Sequence, residues 1–439
     1  MVTPDRNRQA TMQTTYIRPV PLAARPSVGT TSPSAPVSFR SALLRAQQTC
    51  LLPKTRARVS ENPVQLLGPA STTLSSRNPV SGSGTGLNAG DILERATAGN
   101  VENAPTFQVQ AQNPRLSSIS ASVPTSGVSA SPTAMALADF PRPAGDNGRG
   151  MHWVPITRTS NDVVDRFVKE AKEMKIKWMV ILNDDAKIGD NDYLVKQLVN
   201  NGIMPIMRIY TPHGRPIQGD LKALVNHYRP MGVQYYQLYN EPNLNVENPD
   251  GVPSVDKYLD KWIPAAKQVA EVGGLPGFGA LSPGGNFDDM EFLRQSLDEI
   301  KRRGEIGALD KAWLSMHNYT LNHPLNYSKD SNCFMKFKWY DSIIREKLGR
   351  QMPIIGTEGG THIGSADDKT FPPIDEAKQI DMVTGAYRYM KNREPYNFVY
   401  TYWIIANEEG GGHDGAFSHQ ALFRPDGRSP LVDALKKLE

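Results

Sequence analysis

Two glutamates each close an apolar run: Glu241, in Asn240-Glu241-Pro242 after Val233 to Tyr239, and Glu358, directly after Met352 to Thr357. Carboxyl groups at two strand ends suit glycosidic bond cleavage. One protonates the leaving oxygen, and the other attacks or stabilises the sugar cation from the far side of the scissile bond. Taken singly, a glutamate at a strand end is an ordinary solvated loop residue. The pair in this order is what carries the inference, because the 117 residues from Glu241 to Glu358 suit three strand–helix units of ordinary length.

The elements that must hold the two groups are legible from hydropathy. Strand-like runs at Met151–Val154, Ile176–Leu182, Ile203–Tyr210, Val233–Tyr239, Gly277–Leu281, Trp313–His317, Met352–Thr357 and Phe398–Ile405 alternate with helical patterns. Val163, Val164, Phe167, Val168, Ala171 and Met174 line one helix face, and Leu194, Val195, Leu198 and Val199 line another, which stops at Asn200-Asn201-Gly202. Further helices are expected over 255–271, 287–302, 335–349, 374–392 and 430–438. Eight such units in about 290 residues predict a (β/α)8 TIM barrel. No glycine-rich phosphate loop follows the first strand, which argues against a doubly wound sheet. In such a barrel the working groups gather where strands end. That adds Arg208, Tyr210, His317, Tyr319 and Trp403 to Asn240, Glu241 and Glu358. His152 and Trp153 on the first strand are further candidates for a subsite, and Tyr235 and Tyr236, well before their strand end, read as packing.

Composition divides the chain near residue 145. All six tryptophans and all but one of the sixteen tyrosines lie beyond it, while residues 1–145 are dense in Ser, Pro, Thr, Gly and Ala. Without large side chains a segment cannot offset the entropy of ordering, so 1–145 is expected to be a low-complexity, disordered tail and 146–439 the catalytic domain. The stretch Phe39 to Leu52 has some helical spacing and could form a transient docking helix. The first 145 residues hold 13 Lys and Arg against 6 Asp and Glu, so the net charge of +4 belongs to the tail and leaves the barrel slightly acidic. Nucleic acid is therefore not an expected partner of the folded part. Two cysteines, Cys50 and Cys333, are too few for a disulfide framework. No run is long enough for a membrane span, and the N-terminus carries no recognisable signal peptide.

Tyr239-Asn240-Glu241-Pro242-Asn243 and Ile355-Gly356-Thr357-Glu358-Gly359-Gly360 resemble the strand-four and strand-seven motifs of the clan A retaining glycoside hydrolases, in particular the cellulase-like family 5 and xylosidase-like family 39 enzymes. His317-Asn318-Tyr319 is similar to the His-x-Tyr on strand six of family 5, and Trp403 to its strand-eight tryptophan. The second strand differs from family 5. It ends Leu182-Asn183-Asp184-Asp185 where those enzymes carry an arginine, and Arg208 stands on strand three instead. The resemblance covers residues 146–439. It implies Glu358 as nucleophile, Glu241 as acid/base, Asn240 on the hydroxyl next to the reacting carbon, Tyr319 on the nucleophile and Trp403 as the floor under the sugar. In a retaining site the carboxyls lie roughly 5–5.5 Å apart, so the charge on one keeps its neighbour protonated.

The expected substrate is a β-linked oligosaccharide or polysaccharide, and the long segments Thr211–Asp220, Pro242–Ser254 and Leu321–Asn332 favour an extended cleft. Arg208 could instead simply pair with a carboxylate, Glu358 among them. His413, Asp414 and His419 lack the helical setting of a metal pair, and paired-carboxylate chemistry needs neither metal nor cofactor, so none is expected. A monomer is favoured, and a glycan substrate favours an extracellular or cell-surface location. Two rival readings share the barrel: a catalytically silent carbohydrate-binding or scaffold protein, since fold does not fix activity, and a transglycosylase.

Overall fold

The computed structural model describes residues 134–407, 420–424 and 427–439. The expected tail up to residue 133, the Phe39 to Leu52 segment, Cys50 and the His413, Asp414, His419 group lie outside the described residues. Among those described, eight parallel strands close into a barrel in sequence order. They are β1 (Arg149–His152), β2 (Trp178–Asp184), β3 (Met204–Tyr210), β4 (Tyr235–Leu238), β5 (Leu275–Leu281), β6 (Trp313–Tyr319), β7 (Ile354–Gly360) and β8 (Asn397–Tyr402). Around them run α1 (Asn161–Glu173), α2 (Asp192–Asn200), α3 (Leu221–Tyr228), α4 (Val255–Glu271), α5 (Asp289–Arg302), α6 (Phe337–Leu348), α7 (Glu376–Met390) and α8 (Leu431–Lys437). The expected TIM barrel is therefore the observed fold, and no described helix is long and apolar enough to cross a membrane.

Local chemistry explains the helix starts. Asp220, Ser254, Asp288 and Asp375 each accept a hydrogen bond from the backbone N–H three residues on, satisfying one of the amides a first turn leaves unpaired. The sequence reading did not place α3. Its face, Leu221, Leu224, Val225 and Tyr228, spans only two turns, too short for periodicity alone to single out. Strand ends also moved. β1 begins at Arg149, because Arg149 and Gly150 pair with Tyr400 and Thr401 across the closure although neither is apolar. β4 stops at Leu238, since Tyr239 takes a left-handed backbone conformation (φ 66°).

The two ends of the barrel are built differently. At the N-terminal end Trp178, Tyr235 and Trp313 meet edge to face, with ring centroids 5.5 and 5.8 Å apart. Phe140 packs on Phe398 beneath them, and the Tyr235 hydroxyl donates to the Pro141 carbonyl at 2.7 Å. Residues 134–144, assigned above to the tail, thus already seal the barrel floor. Their low aromatic content hid this, because Phe140 is the one aromatic they contribute, with Met135 and Leu137 packed beside it. At the opposite end the inward positions turn polar, as the site below shows.

Inside the barrel, Gly150 faces β8. A Cβ built there would overlap the Thr401 hydroxyl and lie 2.5 Å from Val399 Cγ1. Overpacking of this kind typically costs about 1–3 kcal/mol. Gly150→Ala is expected to lower the denaturation midpoint accordingly, and an unchanged midpoint in chemical unfolding would show that β1 and β8 can separate freely.

Candidate active site

Glu358 reaches the barrel interior through an irregularity. Along β7, Ile355 and Thr357 point inward, so strict alternation would turn Glu358 outward. The register with β6 slips here: Met316 pairs with Gly356 but His317 with Glu358. The extra residue, Thr357, is a bulge that re-aims the next side chain. Thr357 bonds Ser315 inside the barrel at 2.8 Å, and Glu358 is then turned in as well, with 1% exposure.

Glu241 is positioned by loop chemistry. Tyr239 and Glu241 both have positive φ (66° and 31°), a conformation that disfavours non-glycine residues and must be held by its surroundings. Asn243 does much of the holding. Its amide nitrogen donates to the carbonyls of Ser282 and Phe287, and its oxygen accepts from the Ser282 N–H, tying the loop to the end of β5. Asn248 donates to the carbonyls of Pro242 and Leu244. The Asn-Glu-Pro-Asn string is thus a folded turn whose second asparagine is structural.

His317 Nδ1 lies 2.8 Å from Glu241 Oε1 and 3.5 Å from Glu358 Oε2. One ring nitrogen therefore touches both carboxyl groups. The sum of the two distances is the largest gap those two oxygens can have, so the carboxyl groups face each other across this one nitrogen. Arg208 Nη1 pairs with Glu358 Oε1, and the Tyr319 hydroxyl donates to Glu358 Oε2 at 3.0 Å. Burial, and after it the charges of Glu358 and Glu241, push the Tyr319 phenol well above its usual value, so it stays a donor. Behind β6 the buried Lys336 ammonium donates to the His317 carbonyl; burial lowers it to about 8, against the opposing pull of Asp289, Cys333 and Glu241.

The structure brings Asn240, Glu241, Glu358, His317, Tyr319, Arg208 and Tyr210 to the C-terminal mouth of the barrel, all at most 5% exposed. Trp403, just after β8, joins them. Its ring lies 4.2 Å from that of His152, tilted by 56°. Trp153 does not join them. It packs edge to face on Phe167 of α1, in the layer between barrel and helices, because it follows the inward His152 by one residue and alternation turns it out. His152 takes the place foreseen for Trp153. Its Nδ1 donates to the Trp153 carbonyl at 2.8 Å. Burial, followed by the Arg208 charge, holds the ring well below its ordinary value and hence neutral. Its Nε2 is then a buried acceptor with no partner among the described residues.

Glu247 was missed. It sits in a short 3-10 turn, Asn245–Glu247, and accepts from Asn240 Nδ2 at 2.7 Å. Burial, then the Glu241 charge, raises it to about 8. Nothing in its neighbourhood marks it. It follows Asn-Val rather than a strand, and only the fold of the loop brings it back to Asn240.

No protein-family model and no curated protein matches the chain. Solved structures do. A glucosidase from Croceicoccus marinus superposes with a TM-score of 0.50 at 14% identity, over 67% of this chain and 68% of that one. A family 39 glycoside hydrolase from the gut symbiont Bacteroides cellulosilyticus WH2 gives 0.48 at 14%, over 68% of this chain and 63% of its own length. A family 39 β-xylosidase from Caulobacter crescentus gives 0.46 at 16%, over 68% and 72%. The chain shares the barrel fold of the glucosidase.

The raised Glu247 has a consequence for stability. Between its unfolded value near 4.5 and its folded value near 8, the native state holds a proton that the unfolded chain has lost. Its contribution therefore falls as pH rises through that window, by at most about 1.4 kcal/mol per pH unit. Glu247→Gln removes the effect. The melting temperature of the variant relative to wild type is expected to climb from pH 5 to pH 8, and a constant difference would contradict the burial assigned to this carboxyl.

Proposed function

We propose that the barrel is a retaining O-glycoside hydrolase acting on a β-linked glycan, with Glu358 as nucleophile and Glu241 as general acid/base. The observation that carries the reading is the sharing of His317 Nδ1 by the two carboxyl groups. It favours the close spacing a double displacement requires.

Each neighbour has a task in that sequence. Arg208 and Tyr319 hold one oxygen each of Glu358, so the carboxylate is presented to the anomeric carbon without rotating. A Glu358 oxygen bonds to that carbon as the glycosidic C–O bond breaks, and Glu241 delivers its proton to the departing oxygen. The sugar is then an ester of Glu358. In the second half Glu241, now a carboxylate, takes a proton from water as the water oxygen attacks the same carbon and Glu358 departs. Two inversions restore the original anomeric configuration. The ring of Trp403 offers an apolar plate for the C–H face of the sugar, while His152 Nε2 and the Tyr210 hydroxyl, buried and without hydrogen-bond partners among the described residues, are open to its hydroxyls.

A positioned general acid supplies typically about 10²–10⁴-fold. Glu241→Ala and Glu358→Ala are each expected to lower turnover by factors of that order. Near-normal turnover in either variant would end the assignment. Incubation with fluoro-sugar inactivators that keep the hydroxyl next to the anomeric carbon, followed by peptide mapping, is expected to place the adduct on Glu358. A folded protein that binds oligosaccharides, cleaves none and takes no label would be the silent binding barrel instead, and chain-lengthened products would make it a transglycosylase.

A further inference from the structure

Asn240 stands beside the acid/base, and the way its amide is already committed limits what it can offer a ligand. One hydrogen bond runs from its Nδ2 to Glu247 Oε1 at 2.7 Å. A long second contact runs from the same nitrogen to Glu241 Oε2 at 3.5 Å. Both amide protons are thus directed at carboxyl groups. The amide oxygen is the reverse case: buried, with no hydrogen-bond partner among the described residues. A buried carbonyl left unpaired costs about 1–3 kcal/mol, and a substrate hydroxyl that donates to it would recover that cost. The Glu247 carboxyl has no other hydrogen-bond partner among the described residues, and the turn that carries it is tied down by Asn248.

Resting on the glycosidase reading, we propose that Glu247 is a positioning residue: by holding the Asn240 N–H it sets the amide so that its oxygen, and not its nitrogen, receives a hydroxyl of the substrate. The site then selects a sugar that presents a hydrogen-bond donor at this point. A ligand carrying only an acceptor there, such as the corresponding fluoro or methoxy sugar, finds no partner. The assignment of oxygen and nitrogen in an amide follows from its network, and here the nitrogen faces an oxygen of each carboxyl, Glu247 Oε1 and Glu241 Oε2. The raised titration of Glu247 agrees with a carboxyl enclosed beside Glu241, while the ring of groups around it (Glu241, Glu358, Arg208 and Tyr210) holds a single cation, already paired to Glu358.

A double-mutant cycle tests the role, because a residue that acts through Asn240 has nothing to act on once the amide is gone. In otherwise wild-type protein Glu247→Leu is expected to lower kcat/KM by about tenfold or more, with the loss in kcat rather than KM, since the contact to the hydroxyl strengthens in the transition state. On an Asn240→Ala background the same change is expected to cost less than about twofold. Glu247→Gln keeps an acceptor for the Asn240 N–H and is expected to restore most of the activity. Thermal melts establish that each variant is folded; if Glu247→Leu is not, Glu247→Met takes its place in the cycle. Effects that multiply independently, or a Gln variant as poor as Leu, overturn the proposal. If the wild-type enzyme is itself inactive and unlabelled at Glu358, the glycosidase reading falls and this role with it. An active, labelled wild type with multiplicative effects removes the role of Glu247 alone.

Discussion

The mouth of the barrel depends on burying several ionisable groups together. Arg208, His317, Glu241 and Glu358 are all withdrawn from solvent, and an isolated charge so placed would cost several kcal/mol. The ion pair of Arg208 with Glu358, the phenol of Tyr319 and the shared nitrogen of His317 are what make Glu358 tolerable there. Such a network does not stabilise the fold more than apolar packing of the same volume would. Its return is rigidity: each oxygen of Glu358 has a fixed partner, so the group keeps one orientation. Removing Arg208 or Glu358 leaves its partner buried without that ion pair.

The expense is met at the opposite end of the barrel. Trp178, Tyr235 and Trp313 interlock there with Phe140 and Phe398, an apolar plug closed from below by residues 134–144. Polar groups are pooled at one end and aromatic packing at the other. This division lets the barrel hold an unfavourable cluster of charges. At the polar end Tyr239, Glu241 and Ala280 take left-handed backbone conformations, and asparagine side chains in the loops replace the strand hydrogen bonds that have run out.

Much of this was legible in the sequence because it rests on periodicity. The eight apolar runs, their helical intervals and the identity of the strand-end residues follow from patterns of two and of about 3.6 residues. What was not legible lies where the period breaks. Trp153 looked like a site residue because it is large and near a strand end, yet one step of alternation places it against Phe167. α3 escaped because two turns are too few to show a period. Residues 134–144 escaped because composition counts residues, and one phenylalanine with Met135 and Leu137 beside it is enough to close a barrel.

The bulge at Thr357 is the sharpest case. Read with strict alternation, β7 sends Glu358 to the helix layer, where a carboxylate would have no role. The motif suggested otherwise, and the geometry supplies the reason: one unpaired residue in β7 lets both Thr357 and Glu358 face the interior. The same logic applies to Glu247, which no strand carries and which reaches Asn240 only because Asn243 and Asn248 fold the intervening loop. In both cases the carboxyl side chain is placed by a departure from regular structure. Regular structure, repeated eight times, supplies the rigid frame against which so small a departure can aim a carboxyl group with precision.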